Sequence, residues 1–124
     1  RGAMAGKPGL EAPSGSLRVL ELFAGIGGWR LALTAALPEG TAAEFSPFDS
    51  GPHCSEIYLQ NFREPCCRRN IEQLGAKDLE GFDVWAMSPP CQPFSTTREA
   101  KQKGLEDARC KALDHLCKMV PLLE

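Results

Sequence analysis

Residues 17–28 read LRVLELFAGIGG and predict a parallel α/β fold. The run at 17–23 is short, mostly apolar and followed by glycines, which is typical of a strand buried on both faces of a parallel sheet. We therefore expect this strand to be central. The glycine-rich turn leads into a helix predicted over 29–37, which Pro38 ends. Strand, turn and helix in this order open a nucleotide-type α/β unit.

Gly25, Gly27 and Gly28 give this turn two possible roles. Glycine takes a positive φ without strain and lets the backbone approach a ligand closely, while the helix start offers N–H groups that have no partner within the helix. The spacing differs from the dinucleotide-binding pattern G-x-G-x-x-G. The residues alone leave open a ligand-binding turn and a plain tight connection between strand and helix.

A second strand and helix are predicted next. The strand covers 42–45 or extends to Phe48, because Ser46-Pro47 interrupts its pattern. Ser50 is a suitable N-cap and Pro52 a suitable first residue for a helix that runs to about residue 62. Four residues of this helix are spaced to face the sheet: Cys54, Ile57, Tyr58 and Phe62.

Asp49 lies at the end of that second strand. An acidic residue at this position holds ribose hydroxyls in α/β nucleotide-binding folds. It can also cap the helix that follows. Spacing alone leaves both roles open.

The remaining segments predict the rest of one domain. A short third strand is expected to end near Asn70-Ile71, a polar connection covers 75–81, and a further strand covers 82–87. Residues 95–107 lack apolar periodicity and predict a mobile loop, of the kind that acts as a lid. A final helix over 109–122 should cover the sheet through residues at helical spacing: Leu113, Leu116, Cys117 and Val120.

Residues 83–95, DVWAMSPPCQPFS, place a cysteine directly after a strand and a rigid turn. The apolar run predicts a buried strand, and Ser88-Pro89-Pro90 predicts a stiff turn that presents Cys91. A nucleophile would be presented in this way. The alternative is a buried turn residue.

Composition excludes several classes of protein. The 124 residues, 43% hydrophobic and 24% charged, predict one globular domain, with residues 1–16 a disordered leader or tag remnant. No apolar run approaches the roughly 20 residues of a membrane span, and no signal peptide is visible. Six cysteines without a C-x-x-C pair predict neither a disulfide framework nor a metal site, and fit a cytoplasmic or nuclear compartment. A net charge of -2 and a pI near 5.7 argue against tight nucleic-acid binding by this chain unaided.

Several stretches in fixed order resemble the cytosine carbon-5 methyltransferases that use S-adenosylmethionine. Residues 21–28, ELFAGIGG, are similar to the first motif of that family, and residues 89–94, PPCQPF, to its catalytic motif. Asp107-Ala108-Arg109 is similar to a D-x-R segment, and Asp49 matches the ribose-binding acid of the family. The resemblance extends from residue 17 to the C-terminus. It implies a Rossmann-like methyltransferase fold, a mostly parallel sheet with flanking helices, truncated after the catalytic loop and the following helix.

The resemblance also implies a site for S-adenosylmethionine and no metal. Asp49 would take the ribose hydroxyls, and Asn70 would read the adenine with Ile71 against its ring. Ser50 would lie near the adenine, and Pro89 would border both cofactor and base. Asn70 and Ser50 depart from the acid and the aromatic or aliphatic residue that are usual in the family. The methionine end of the cofactor would lie on six further residues: Phe23, Ala24, Gly25, Ile26, Gly27 and Gly28.

By the same resemblance, Cys91 would be the catalytic nucleophile. Its thiolate would add to carbon 6 of cytosine and so activate carbon 5, which splits one hard step into easier ones. The target base would have to leave its stack to reach the thiol.

Substrate and completeness are further expectations. Met87-Ser88 is most similar to the eukaryotic tRNA-modifying branch of the family, while Ser95 is the residue usual in the DNA enzymes, so tRNA is favoured and DNA is the alternative. The family's Glu-Asn-Val motif, its arginine motif and its target-recognition segments do not occur in this sequence. Residues 17–124 are therefore interpreted as the N-terminal portion of a catalytic domain that a second chain or further segment completes, with weak or absent turnover by itself. A non-catalytic binding module and a Rossmann-like methyltransferase of another class are the remaining hypotheses.

Overall fold

The computed structural model describes residues 15–94 and 106–123. Three parallel strands form one sheet in the order β2-β1-β3, with β1 at Leu17–Leu22, β2 at Ala43–Phe48 and β3 at Val84–Met87. Leu22 pairs with Phe48 on one side and with Met87 on the other, so all three strands end at the same edge. The central position predicted for the first strand is confirmed.

Four α-helices and four single 3-10 turns accompany the sheet in the described residues. The helices are α1 at Gly28–Ala36, α2 at Pro52–Phe62, α3 at Ala76–Leu79 and α4 at Lys111–Met119. The 3-10 turns are Ile71–Gln73, Gln92–Phe94, Ala108–Cys110 and Val120–Leu122. None of the described helices is long and apolar enough to cross a bilayer. Residues 1–14 of the leader predicted over 1–16, and residues 95–105 of the loop predicted over 95–107, lie outside the described residues.

Strand β1 is buried on both faces of the sheet. Successive side chains of a strand point to opposite faces, and Val19, Leu20, Glu21 and Leu22 are all fully buried. Leu20 and Leu22 belong to the larger core cluster, which also contains Ile71, Leu74, Leu79 and Leu116. On the other face, Glu21 hydrogen-bonds to the hydroxyl of Tyr58, which lies in a smaller cluster with Ala24 and Cys66.

Pro47 is part of β2, which continues through the Ser46-Pro47 pair to Phe48. The Pro47 carbonyl accepts a hydrogen bond from Cys67 N at 2.9 Å, on the side of β2 away from β1. N–H and C=O groups of one strand residue point the same way, so the N–H that proline lacks is not needed for pairing with β1. The longer of the two predicted strand lengths is therefore correct.

Several predicted details of the chain after β2 are wrong. Gly51, not Ser50, is the N-cap of α2, because the Gly51 carbonyl accepts the first hydrogen bond of the helix, from Ser55 N at 3.1 Å. On α2, Ile57 is exposed and Ser55 is buried in place of it. The third predicted strand reduces to a single bridge between Phe48 and Cys67.

Two further segments also differ from prediction. The polar connection at 75–81 contains α3, whose Leu79 enters the larger core cluster. The segment predicted as the last helix is divided into a 3-10 turn, α4 and a second 3-10 turn. Of its four residues predicted to face the sheet, only Leu116 is buried. Cys117 and Val120 are exposed, whereas Cys110 and Leu116 are buried.

Candidate active site

The turn after β1 has a left-handed backbone at three of its residues. Phe23 has a φ of 55°, Gly25 of 56° and Gly27 of 93°. A positive φ is costly for an aromatic residue and persists only where the surrounding structure enforces it, often at a functional site. Gly27 also packs against the Phe62 ring, which a Cβ at Gly27 would approach within 2.0 Å. The tight geometry directs the turn across the end of the sheet and starts α1 at Gly28.

Asp49 connects this turn to the end of β2. Its Oδ2 accepts the hydrogen bond of Gly25 N and its Oδ1 accepts that of Gly51 N, both at 2.8 Å. A carboxylate offers about four lone-pair sites, so further hydroxyl or N–H donors can still be accepted. The two roles left open by the sequence are therefore compatible, since Asp49 braces the backbone at the start of α2 and lies in a cavity.

That cavity, which we name the acidic cavity, has a volume of about 250 Å³ at the ends of β1 and β2. Its walls combine acidic, amide and guanidinium groups with apolar side chains. They are formed by Phe23, Asp49, Ser50, Asn70, Ile71, Glu72, Pro90, Ala108, Arg109 and Ala112. Asn70 Oδ1 accepts the hydrogen bond of Glu72 N at 3.2 Å, which fixes its amide at the start of a 3-10 turn.

A second cavity of about 430 Å³, the glycine cavity, lies beside the turn and the start of α1. It is lined by Phe23, Ala24, Gly25, Gly28, Trp29 and Ser88. Phe23 contributes to both cavities, so they adjoin at this strained residue. Together they bring eight of the eleven predicted cofactor residues to one edge of the sheet.

The three other predicted residues occupy different surroundings. Ile26 is 55% exposed, and its carbonyl accepts a hydrogen bond from Asn61 Nδ2 at 3.0 Å. Gly27 is buried against Phe62. Pro89 is half-buried and lines neither cavity, while its neighbour Pro90 borders the acidic cavity.

Cys91 is exposed immediately after Pro90, and its carbonyl accepts the hydrogen bond of Phe94 N at 3.0 Å. The buried-turn alternative for this cysteine is therefore wrong. The thiol stands one residue beyond the wall of the acidic cavity, at the same sheet edge as Asp49. This arrangement can present a thiol to a planar substrate above the sheet.

Sequence reasoning missed several lining residues. Trp29 is 42% exposed and lines the glycine cavity with Ser88. Ala108 and Arg109 belong to the D-x-R segment, which could have indicated them. Arg109 also forms a bidentate pair with Asp107, with Nε to Oδ1 at 2.9 Å and Nη2 to Oδ2 at 2.8 Å.

A buried carboxylate supports the site from beneath. Glu21 accepts the Tyr58 hydroxyl at 2.8 Å and the backbone N–H of Arg30, in the first turn of α1, at 3.3 Å. Burial raises the pKa of Glu21 above its ordinary value, against the opposing effects of Tyr58 and Arg30. Burial also raises the pKa of the Cys66 thiol to about 11, so this cysteine stays protonated at neutral pH.

Comparisons with a family model, with curated proteins and with solved structures give consistent matches. The family model of the C-5 cytosine-specific DNA methylases matches residues 17–121. A tRNA (cytosine(38)-C(5))-methyltransferase of Schizosaccharomyces pombe is 39% identical over 108 residues. A DNA (cytosine-5)-methyltransferase of Dictyostelium discoideum is 37% identical over 102 residues. The structure of the Entamoeba histolytica methyltransferase EhMeth superimposes with a TM-score of 0.73 at 32% identity.

The matches cover most of this chain and a smaller part of each relative. The S. pombe and D. discoideum alignments take in 85% and 81% of this chain, and 31% and 26% of those proteins. The EhMeth superposition covers 89% of this chain and 35% of that one. The chain therefore spans between 26% and 35% of the length of these three proteins.

Proposed function

We propose that this chain, which belongs to the family of C-5 cytosine-specific DNA methylases, forms the cofactor-binding and nucleophile-bearing part of a methyltransferase. The proposed enzyme acts on carbon 5 of cytosine in nucleic acid. S-adenosylmethionine is the methyl donor in this proposal, and S-adenosylhomocysteine the product. The observation that carries it is the convergence of the acidic cavity, the glycine cavity and Cys91 at one edge of the sheet.

The residues of the two cavities fit the chemical groups of this cofactor. Asp49 offers carboxylate oxygens to ribose hydroxyls, and Asn70 and Ile71 offer an amide and an apolar surface to the adenine ring. Gly25 in the turn and Gly28 at the start of α1 have no side chain, so the backbone beside the glycine cavity is open to the amino-acid end. When bound, the cofactor supplies an electrophilic methyl group.

Cys91 activates the other reactant in this proposal. The thiolate forms a bond from Sγ to carbon 6 of cytosine, the carbon 5–carbon 6 electron pair forms a carbon 4–carbon 5 double bond, and N3 takes up a proton from water. Carbon 5 of this enamine is nucleophilic and accepts the methyl group. Water then removes the proton from carbon 5, the carbon 5–carbon 6 double bond forms again, the thiolate leaves carbon 6, and N3 returns its proton to water. The exposure of Cys91 suits a base that has left its stack.

We favour tRNA over DNA as the substrate. The support is the Met87-Ser88 pair before the Pro-Pro-Cys turn and the named activity of the S. pombe relative. The D. discoideum relative, which is named for DNA, keeps DNA as the alternative. A tRNA substrate places the protein in tRNA processing, in the cytoplasm or nucleus. Because the chain carries a net charge of -2, further segments or a second chain would supply much of the contact with phosphates.

A trapping experiment tests the nucleophile. The chain is incubated with S-adenosylmethionine and an RNA stem-loop carrying 5-fluorocytosine, whose fluorine cannot leave carbon 5 as a proton does. We expect a covalent adduct on a denaturing gel that Cys91→Ala abolishes. Cys117→Ala is the matched control, since Cys117 is also exposed but lies on α4, and it should leave the adduct unchanged.

The remaining outcomes separate the alternatives. An adduct with the corresponding DNA and none with RNA would assign the DNA activity. Binding of S-adenosylhomocysteine by calorimetry without any adduct would favour a non-catalytic binding module. Failure of both adduct formation and cofactor binding would refute the proposed function.

A further inference from the structure

A side-chain hydrogen bond connects α1 to the turn that carries Cys91. Trp29 Nε1 donates to Ser88 Oγ at 2.7 Å, between residues that are 59 positions apart in the sequence. Both residues line the glycine cavity, Trp29 from the first turn of α1 and Ser88 from the end of β3. The bond therefore crosses directly between the element that follows the glycine turn and the loop that presents the thiol.

The backbone around Ser88 provides little competing support. Ser88 N donates to Leu22 O at 3.4 Å, which is long for a backbone hydrogen bond. Pro89 and Pro90 have no N–H group and so cannot add a further backbone donor to the sheet. The bond from Phe94 N to Cys91 O is local to the turn. Among the described residues, Ser88 therefore makes two hydrogen bonds outside its own turn, and the bond from the Trp29 indole is shorter than the bond to Leu22 O.

We propose that Trp29 is a positioning residue, whose indole N–H holds Ser88 and thereby couples the glycine cavity to the turn that bears Cys91. Occupation of the glycine cavity then restrains the Cys91 turn through the indole, without any contact between ligand and thiol. The catalytic meaning of this coupling rests on the proposed function, whereas the mechanical link does not.

Amide hydrogen exchange followed by NMR tests the mechanical link in the unliganded chain. Trp29→Phe keeps an aromatic ring and removes the donor, and Ser88→Ala removes the acceptor. We expect either change to speed exchange of the residue 88 amide by roughly 2- to 10-fold, the range that one net hydrogen bond supports. The double variant should exchange no faster than the faster single variant, because both changes remove the same interaction.

Ser88→Thr is the matched control because it keeps a hydroxyl at the same position. It should retain the slow exchange that Ser88→Ala loses, which a purely steric role of Ser88 would not produce. Exchange at the wild-type rate in Trp29→Phe, additive effects in the double variant, or fast exchange in Ser88→Thr would each overturn the proposal.

The same variants, saturated with S-adenosylhomocysteine, test the coupling. Ligand should slow exchange at Ser88 and Cys91 in the wild-type chain, and slow it at least threefold less in Trp29→Phe. Equal slowing in both proteins would overturn the coupling. If the wild-type chain does not bind the ligand, the proposed function fails, while the unliganded exchange rates still decide the mechanical link.

Discussion

Among single residues, Glu21 is the buried charge beneath the glycine turn, and its ionisation should oppose folding. It is fully buried, and the loss of hydration raises its pKa above the ordinary 4.5. The folded chain therefore holds this proton more tightly than the unfolded chain does. As pH rises from about 4.5 through the raised pKa, the Glu21 carboxyl loses its proton in the unfolded chain before it does so in the folded chain. The contribution of Glu21 to the free energy of unfolding therefore declines.

Glu21→Gln should remove this decline. We expect the free energy of unfolding of the wild-type chain, measured relative to the variant in urea, to fall as pH rises above about 4.5, with a slope of at most about 1.4 kcal/mol per pH unit. Glu64→Gln is a control of opposite sign, because the Arg30 guanidinium lowers the pKa of Glu64 through bonds of 2.6 and 2.8 Å. The contribution of Glu64 should be present at neutral pH and be lost as pH falls below 4.5. Parallel curves for wild type and Glu21→Gln would contradict the prediction.

At the scale of elements, the junction between β1 and α1 depends on one glycine. A Cβ at Gly27 would lie 2.0 Å from Phe62 Cε2, and the φ of 93° disfavours any other residue. Gly27→Ala should cost about 2 to 5 kcal/mol, from roughly 1–2 for the left-handed backbone and roughly 1–3 for overpacking. The neighbouring Gly28→Ala adds a methyl group with no atom within 4 Å at the helix start, and should change stability by less than about 0.5 kcal/mol.

Urea unfolding of both alanine variants checks this contrast. Equal stability of Gly27→Ala and Gly28→Ala would show that the junction adapts, and would remove the argument that Phe62 fixes the path of the turn. A large loss in Gly28→Ala would instead show that the start of α1 is more constrained than its open surroundings indicate.

Elements whose signals are local could be predicted from the sequence, and those that depend on distant partners could not. The apolar run before the glycines placed β1 at the centre, and the Ser-Pro-Pro turn placed Cys91 at the surface. The continuity of β2 through Pro47 depends on which side its missing N–H faces, and only the position of Cys67 reveals that side. The predicted third strand also depended on a distant partner, and its residues pair with β2 only through the bridge between Phe48 and Cys67.

In the candidate site, too, the features with local sequence signals could be predicted and the contacts between distant residues could not. Asp49 and the glycine turn were indicated by their positions at strand ends, where parallel strands bring loops together. The bond between Trp29 and Ser88 joins residues 59 positions apart, so no local pattern could predict it. Pro90 lines the acidic cavity in place of Pro89 because the direction of each ring in a Pro-Pro turn is set by the path of the loop, which spacing does not encode.

Across the whole molecule, apolar side chains are divided unequally between the two faces of the sheet. The larger core cluster fills the face covered by α3 and α4, whereas α1 has no buried residue in spite of its apolar composition. Leu31 on α1 is 62% exposed, and Leu116 on α4 is 1% exposed. The stability of the chain should therefore come mainly from the α4 side.

Two leucine substitutions test this division. Leu116→Ala should lower the free energy of unfolding by about 2 to 5 kcal/mol, since it empties a packed position. Leu31→Gln should change it by less than about 0.5 kcal/mol, because the side chain is largely in water already. It should also reduce concentration-dependent association in light scattering, because it interrupts an apolar surface.

A different outcome for Leu31→Gln would assign α1 another role. If the free energy of unfolding falls by more than about 1 kcal/mol at high protein concentration but not on dilution, a second copy covers α1 in solution. The same loss at every concentration would contradict the exposure of Leu31 and assign α1 to the core.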